Sequence, residues 1–281
     1  MTSRQRVRHL VRHRPAAVGL LVLLAMAASA ALAPWVAPYD PNAQVWEQAL
    51  RGPSAAHWLG TDEFGRDVFT RIIYGSRISL VVGFLAVAIA AGLGVPLGLL
   101  SGFVGGRVDV LVMRVMDVLL AFPALLLALA IVGALGPGVR NSIIAVGVVA
   151  IPAFARVVRG ATLVVRAQEY VDAARALGVR VPRIIARHVL PNAAAPVIVQ
   201  ATLGVGTAIL SSAGLSFLGL GAQPPTPDWG GMLAGGREFM LQAWWIATFP
   251  GLAIMLTVLG FNLVGDALRD ALDPRLRPPG A

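Results

Sequence analysis

Six long runs free of Asp, Glu and Arg constrain this chain more than any other feature of its sequence. They are Ala16 to Ala33, Ile78 to Gly106, Val118 to Val139, Asn141 to Ala155, Ala193 to Leu218 and Phe239 to Gly265. A helix of about 20 mostly apolar residues crosses the roughly 30 Å hydrocarbon layer of a bilayer. Each run is of that order, the fourth being the shortest and carrying a kink-forming Pro152. Composition agrees: 57% of residues are hydrophobic, 13% are charged and mean hydropathy is +0.75. Soluble domains sit nearer 45–50% apolar and about 25% charged. The expected fold is an all-α membrane protein with six transmembrane helices.

The first run follows Arg4, Arg6, Arg8, Arg12 and Arg14 and ends in Ala31-Leu32-Ala33, the form of a secretory signal peptide. Pro34 directly after that cut and the length of the run favour a retained helix. Arginine placement then orients the chain, because Lys and Arg concentrate in cytoplasmic loops. With a cytoplasmic N-terminus, the inside segments hold 17 arginines and the outside segments 6. An even number of spans returns the C-terminus to the same side, where Arg269, Arg275 and Arg277 lie. His9 and His13 stand one turn apart, but the arginines around them suit a solvated basic helix and anionic membrane lipid.

Two absences limit the chemistry. All 23 basic residues are arginine, and there is no cysteine. Without lysine there is no P-loop lysine and no Schiff base. Without cysteine there are no disulfides, iron–sulfur clusters or thiolate metal sites. No catalytic, metal or cofactor site is expected, nor a nucleic-acid partner, since the net charge of +9 reflects inside loops.

The loop before span two, Tyr39 to Arg77, is nearly charge-balanced. Thr61 or Asp62 suits the N-cap of a short helix. Asp62, Glu63, Arg66 and Asp67 suit exposed local ion pairs, so this loop reads as a surface-lying element. Asp117 lies at the start of span three, one turn from Arg114, its expected partner. Asp266 reads as an interfacial anchor at the end of span six. Trp229, Trp244 and Trp245 suit an aromatic interfacial belt.

The segment from Arg166 to Pro191 is too polar to span and too patterned to be slack. Glu169 to Leu177 reads as a short helix with Tyr170, Val171, Ala174 and Leu177 on one face. Gly178 supplies a left-handed stop. Pro182 suits the start of a second helix, in which Ile184 stands one turn from His188 and Arg183 one turn from Arg187. Pro191 is expected to close it. Two short helices on the cytosolic side make a docking knob, and Ala173 and Ala174 let another protein approach closely.

This segment resembles the coupling loop of binding-protein-dependent ABC importers. That pattern appears here as Asp172-Ala173-Ala174, three residues, Gly178, nine residues, then His188-Val189-Leu190-Pro191. Asp stands where the pattern has Glu, and His where it has Ile. Leu59-Gly60-Thr61-Asp62, Gly65-Arg66-Asp67, Tyr74 to Leu80, Glu169-Tyr170-Val171, Leu215 to Gly221, Pro225 to Gly230 and Asn262 to Asp270 resemble the second permease of dipeptide, oligopeptide and nickel importers.

The resemblance implies a type I importer fold, an N-terminal helix plus a five-helix core. It divides the chain into residues 1–75, a transmembrane domain over 76–270 with its coupling loop at 166–191, and a tail over 271–281. It implies a homologous second permease, two cytosolic ATPases that carry ATP and Mg, an external substrate-binding protein, and a place in the bacterial cytoplasmic membrane. It assigns ATPase coupling to Glu169, Tyr170, Asp172, Ala173, Ala174, Leu177, Gly178, Arg183, Ile184, Arg187, His188 and Pro191. It assigns no substrate-pathway residue. A secondary transporter is expected to show inverted repeats and a channel a filter-like loop, and the sequence has neither.

Overall fold

The computed structural model describes residues 14–272. Arg4, Arg6, Arg8, Arg12, His9, His13, Arg275 and Arg277 lie outside the described residues, as does most of the tail. Helices α1 (Arg14–Val36), α2 (Val68–Val104), α3 (Gly106–Leu120), α4 (Ala124–Leu135) and α5 (Val139–Arg166) come first. They are followed by α6 (Glu169–Ala176), α7 (Val181–Ile184), α8 (Leu190–Phe217), α9 (Trp229–Gly236) and α10 (Trp245–Leu272). A π turn over Ile185–Val189 joins α7 to α8. The described residues contain no strand, only an isolated bridge between Thr61 and Asp67.

Among the described residues, five helices are long and apolar enough to cross a membrane, and α3 with α4, bent by 90° at their junction, pass the same test as a pair, giving five or six candidate spans. The expected third span, Val118 to Val139, is not one helix: its first residues end a helix that starts at Gly106, and the chain breaks before α4. Arg107, Asp109, Arg114 and Asp117 make the first of these helices too charged to read as apolar in sequence. Ion pairs to α5 accommodate its acids, with Asp109 2.6 Å from Arg159 and Asp117 2.6 Å from Arg156. Asp117 thus pairs with Arg156 and not with Arg114. The fourth span likewise extends beyond Ala155 to Arg166, running as one helix through Pro152. The last begins at Trp245, with Phe239 in a 3-10 turn, and places Asp266 within the helix rather than at its end.

Close backbone approach organises the core. Gly94, Gly98 and Gly102 repeat every four residues, so they share one face of α2. A Cβ at Gly94 would lie 2.6 Å from Phe154 Cβ, one at Gly98 2.5 Å from Ala155 O, and one at Gly102 2.7 Å from Thr162 Cβ. Small residues at this spacing let membrane helices pack backbone to backbone. Nearer the start of α2, Gly83 meets Ile209 of α8, and Gly19 of α1 meets Gly260 of α10. Ala86, Ala90, Val146, Phe154, Val205, Ile209 and Phe261 fill the space between.

Gly98→Leu forces α2 and α5 apart and is expected to abolish recovery of monodisperse protein. Gly92→Leu, on an open face of the same helix with nothing within 4 Å, is expected to purify normally.

The segment before α2 departs most from expectation. Asp67, not Thr61 or Asp62, caps the helix, accepting the Thr70 N–H at 2.7 Å. The element is not surface-lying either: Thr61, Asp62, Arg66 and Asp67 are all buried. Asp62 accepts the Arg66 Nε–H at 2.6 Å and the Phe64 and Arg66 N–H groups at 2.9 Å each. His57 links Asp67, at 2.9 Å from its Nδ1, to Gln48, at 2.8 Å from its Nε2.

Candidate functional site

The knob grows from the ends of two core helices. Arg166, the last residue of α5, donates to Gly102 O at 3.3 Å and ties α5 to the end of α2. After Ala167 and Gln168 the chain turns into α6, whose first turn carries Glu169 and Asp172 against the positive end of the helix dipole. Gly178 ends it with φ +73. The Gly178 N–H bonds to Arg175 O at 2.9 Å and the Val179 N–H to Ala174 O at 3.1 Å. This pair of bonds is a Schellman motif, and glycine adopts its left-handed residue without a Cβ penalty. Pro182 stands in the first turn of α7, as its spacing predicts.

Pro191 does not close the second helix. The π turn absorbs the change in register, and α8 starts at Leu190 with Pro191 in its first turn, where a missing N–H breaks no hydrogen bond. The knob therefore runs directly into a membrane helix.

The predicted residues divide between two faces. Val171, Ala174, Ile184 and Val189 are buried in a cluster with Leu99, Phe103, Val158 and Val165. Ala174 and Ile184 thus face the protein's own helices and are unavailable to a partner. Glu169, Tyr170, Asp172, Ala173, Gly178, Arg183, Arg187 and Pro191 are exposed, and His188 is half-buried. Leu177 stands at the tip with 83% of its surface exposed. Tyr170 and His188 bring α6 to the π turn with ring centroids 5.9 Å apart. Arg175, absent from the predicted set, pairs with Asp172 at 3.2 Å and lies 5.0 Å over the Phe103 ring, fixing α6 to the end of α2. The result is a platform packed on the core helices, with Leu177 its most exposed large apolar side chain.

A family model described as binding-protein-dependent transport system inner membrane component matches residues 94–278. The chain belongs to that family. A second model, the N-terminal transmembrane domain of oligopeptide transport permease C, matches residues 3–53. The dipeptide transport system permease protein of Alkalihalophilus pseudofirmus is 50% identical, covering 98% of this chain and 90% of that protein. The glutathione transport system permease protein of Pectobacterium atrosepticum is 48% identical, covering 96% and 90%. Among solved structures, an inward-facing form of the MetNI methionine ABC transporter aligns with a TM-score of 0.61 at 19% identity. It covers 73% of this chain and 98% of that one.

At the end of this family member opposite the knob, the loops lock together around two tryptophans. The Trp229 Nε1–H donates to Ile72 O at 2.9 Å and the Trp245 Nε1–H to Thr61 O at 3.0 Å. Both indoles are buried, so only Trp244, about half-exposed, fits the expected interfacial belt. Asp228 caps α9 by accepting the Gly231 N–H at 2.9 Å, and burial pushes its carboxyl up from the usual value of 3.8. Glu63 is pushed up from its usual value for the same reason.

For Asp228 the folded state binds its proton more tightly than the unfolded state, so stability falls as pH rises above about 3.8. Asp228→Asn keeps a good capping residue and removes the charge. Thermal unfolding in detergent between about pH 4 and pH 8 is expected to show the variant gaining on the natural protein as pH rises.

Proposed function

We propose that this chain is one transmembrane permease subunit of an ATP-binding-cassette importer. It forms half of a translocation pathway for peptides or similar small solutes and is driven by partner ATPases. Dipeptide transport and glutathione transport are the activities named for two of its relatives. A homologous second permease completes the pathway, two cytosolic ATPases carry ATP and Mg, and an external binding protein delivers the solute. This chain has no lysine for a P-loop, so hydrolysis falls to the partners. Both termini and the knob face the cytoplasm, in keeping with the excess of arginines in the segments on that side.

The observation that carries the reading is the exposed Leu177 on a knob that is continuous with α8 and packed on α2 and α5. An apolar tip on a knob that also exposes Tyr170, Asp172, Arg183 and Arg187 suits a groove on an ATPase. Gly178 permits the turn, Val171, Ala174 and Ile184 bind the knob to the helices it moves, and stiff helices carry the displacement. Replacing residues 166–191 by a flexible linker is expected to abolish copurification with the ATPases. Undiminished copurification would overturn the assignment.

A further inference from the structure

The Asp117–Arg156 ion pair links α3 to α5 at 2.6 Å, yet its side chains are 50% and 52% exposed. At about 1.5 Å per residue, Arg156 lies roughly 25 Å along α5 from Val139 and 15 Å from Arg166. That is within the hydrocarbon depth, toward the knob. Charges there are tolerated when they face protein or a water-filled cavity.

A second observation falls at the same place. The 90° break between α3 and α4 follows within a turn of Asp117, and Ala121, Phe122 and Pro123 in it are all exposed. Non-helical backbone at membrane depth is likewise confined to protein-covered or water-lined positions. Ion pair and break both mark this face as turned away from lipid. By contrast, the nearby Asp109–Arg159 pair is only one-fifth to one-third exposed, and Ser101 also bonds Asp109, as befits a structural tie.

We propose that Asp117 and Arg156 line the aqueous translocation path and form a transient site for a zwitterionic solute, the carboxylate receiving its ammonium group and the guanidinium its carboxylate. Both charges of a small peptide then find a partner of opposite sign on the path. The site rests on the importer reading above and gives that pathway its first named residues.

The test uses the assembled transporter in proteoliposomes. The natural chain has no cysteine, so Ala153→Cys, exposed one turn from Arg156, is a unique target on this chain for a charged, membrane-impermeant thiol reagent. Labelling in at least one nucleotide state is expected. Arg156→Gln is expected to lower peptide transport at least tenfold while ATPase stimulation by the binding protein persists. The exchange Asp117→Arg with Arg156→Asp is expected not to restore transport.

Absence of labelling in every state would overturn the site, and so would normal transport by Arg156→Gln. Restoration by the exchange would show a structural tie only, and loss of ATPase stimulation a coupling role; either overturns the proposal. In each of these cases the unsubstituted transporter still imports with ATP, whereas failure of that import would instead refute the importer reading.

Discussion

Leu177→Asp is expected to weaken binding of the partner ATPase by at least tenfold and to reduce transport in step. Full burial of a leucine contributes about 1.5–3 kcal/mol, roughly 10- to 140-fold in affinity. At 83% exposure nearly all of that surface is available to a partner. Aspartate also places a charge where the partner is apolar. Gly178→Pro is expected to be at least as severe, because proline holds φ near −65° where the knob needs +73. It also deletes the N–H that bonds Arg175 O. Gly178→Ala is the milder control: nothing lies within 4 Å of its Cβ, so only the left-handed strain of roughly 1–2 kcal/mol remains. Equilibrium binding of the purified ATPase, measured beside transport, separates these outcomes from misfolding.

The second large effect lies at the opposite end. Asp62→Ala removes the carboxylate that hydrogen-bonds Arg66, at 2.6 Å, and that stands 3.7 Å from Arg71 as its ion-pair partner, and both guanidiniums are buried. Stranding a buried charge by deleting its partner costs about 3–5 kcal/mol. The variant is expected to accumulate poorly and to unfold at much lower temperature in detergent. Arg175→Ala breaks the exposed pair with Asp172, for which about 0–1 kcal/mol is typical, and is expected to unfold close to the natural protein. Similar unfolding temperatures for the two variants would show that the Asp62 network contributes little to stability.

The same contrast explains what could be read from the residues alone. Local chemistry was legible: Gly178 adopts its left-handed stop, Pro182 opens a helical turn, and the apolar runs are helices. Tertiary partners were not. Asp117 and Arg156 are 39 residues apart, and Asp109 and Arg159 are 50 apart, so nothing nearby shows that α3 tolerates its charges. Charged residues are almost never fully buried unless paired, which is why Asp62 and Arg66 read as surface groups until Arg71 and the tryptophan struts were in place. Pro191 read as a stop because a proline that ends one helix and one that opens the next look alike in sequence. In the knob, the period of α6 grouped Leu177 with Val171 and Ala174, but Leu177 sits at the cap, where the chain has begun to turn outward.

The tip of this knob is expected to touch an ATPase. Leu177→Cys in the otherwise cysteine-free chain, carrying a short photoreactive thiol probe in the assembled transporter, tests it most directly. The expected product is a crosslink to the ATPase subunit whose yield changes between nucleotide-free and ATP-bound states. A crosslink to lipid or to this chain alone, in both states, would contradict the claim.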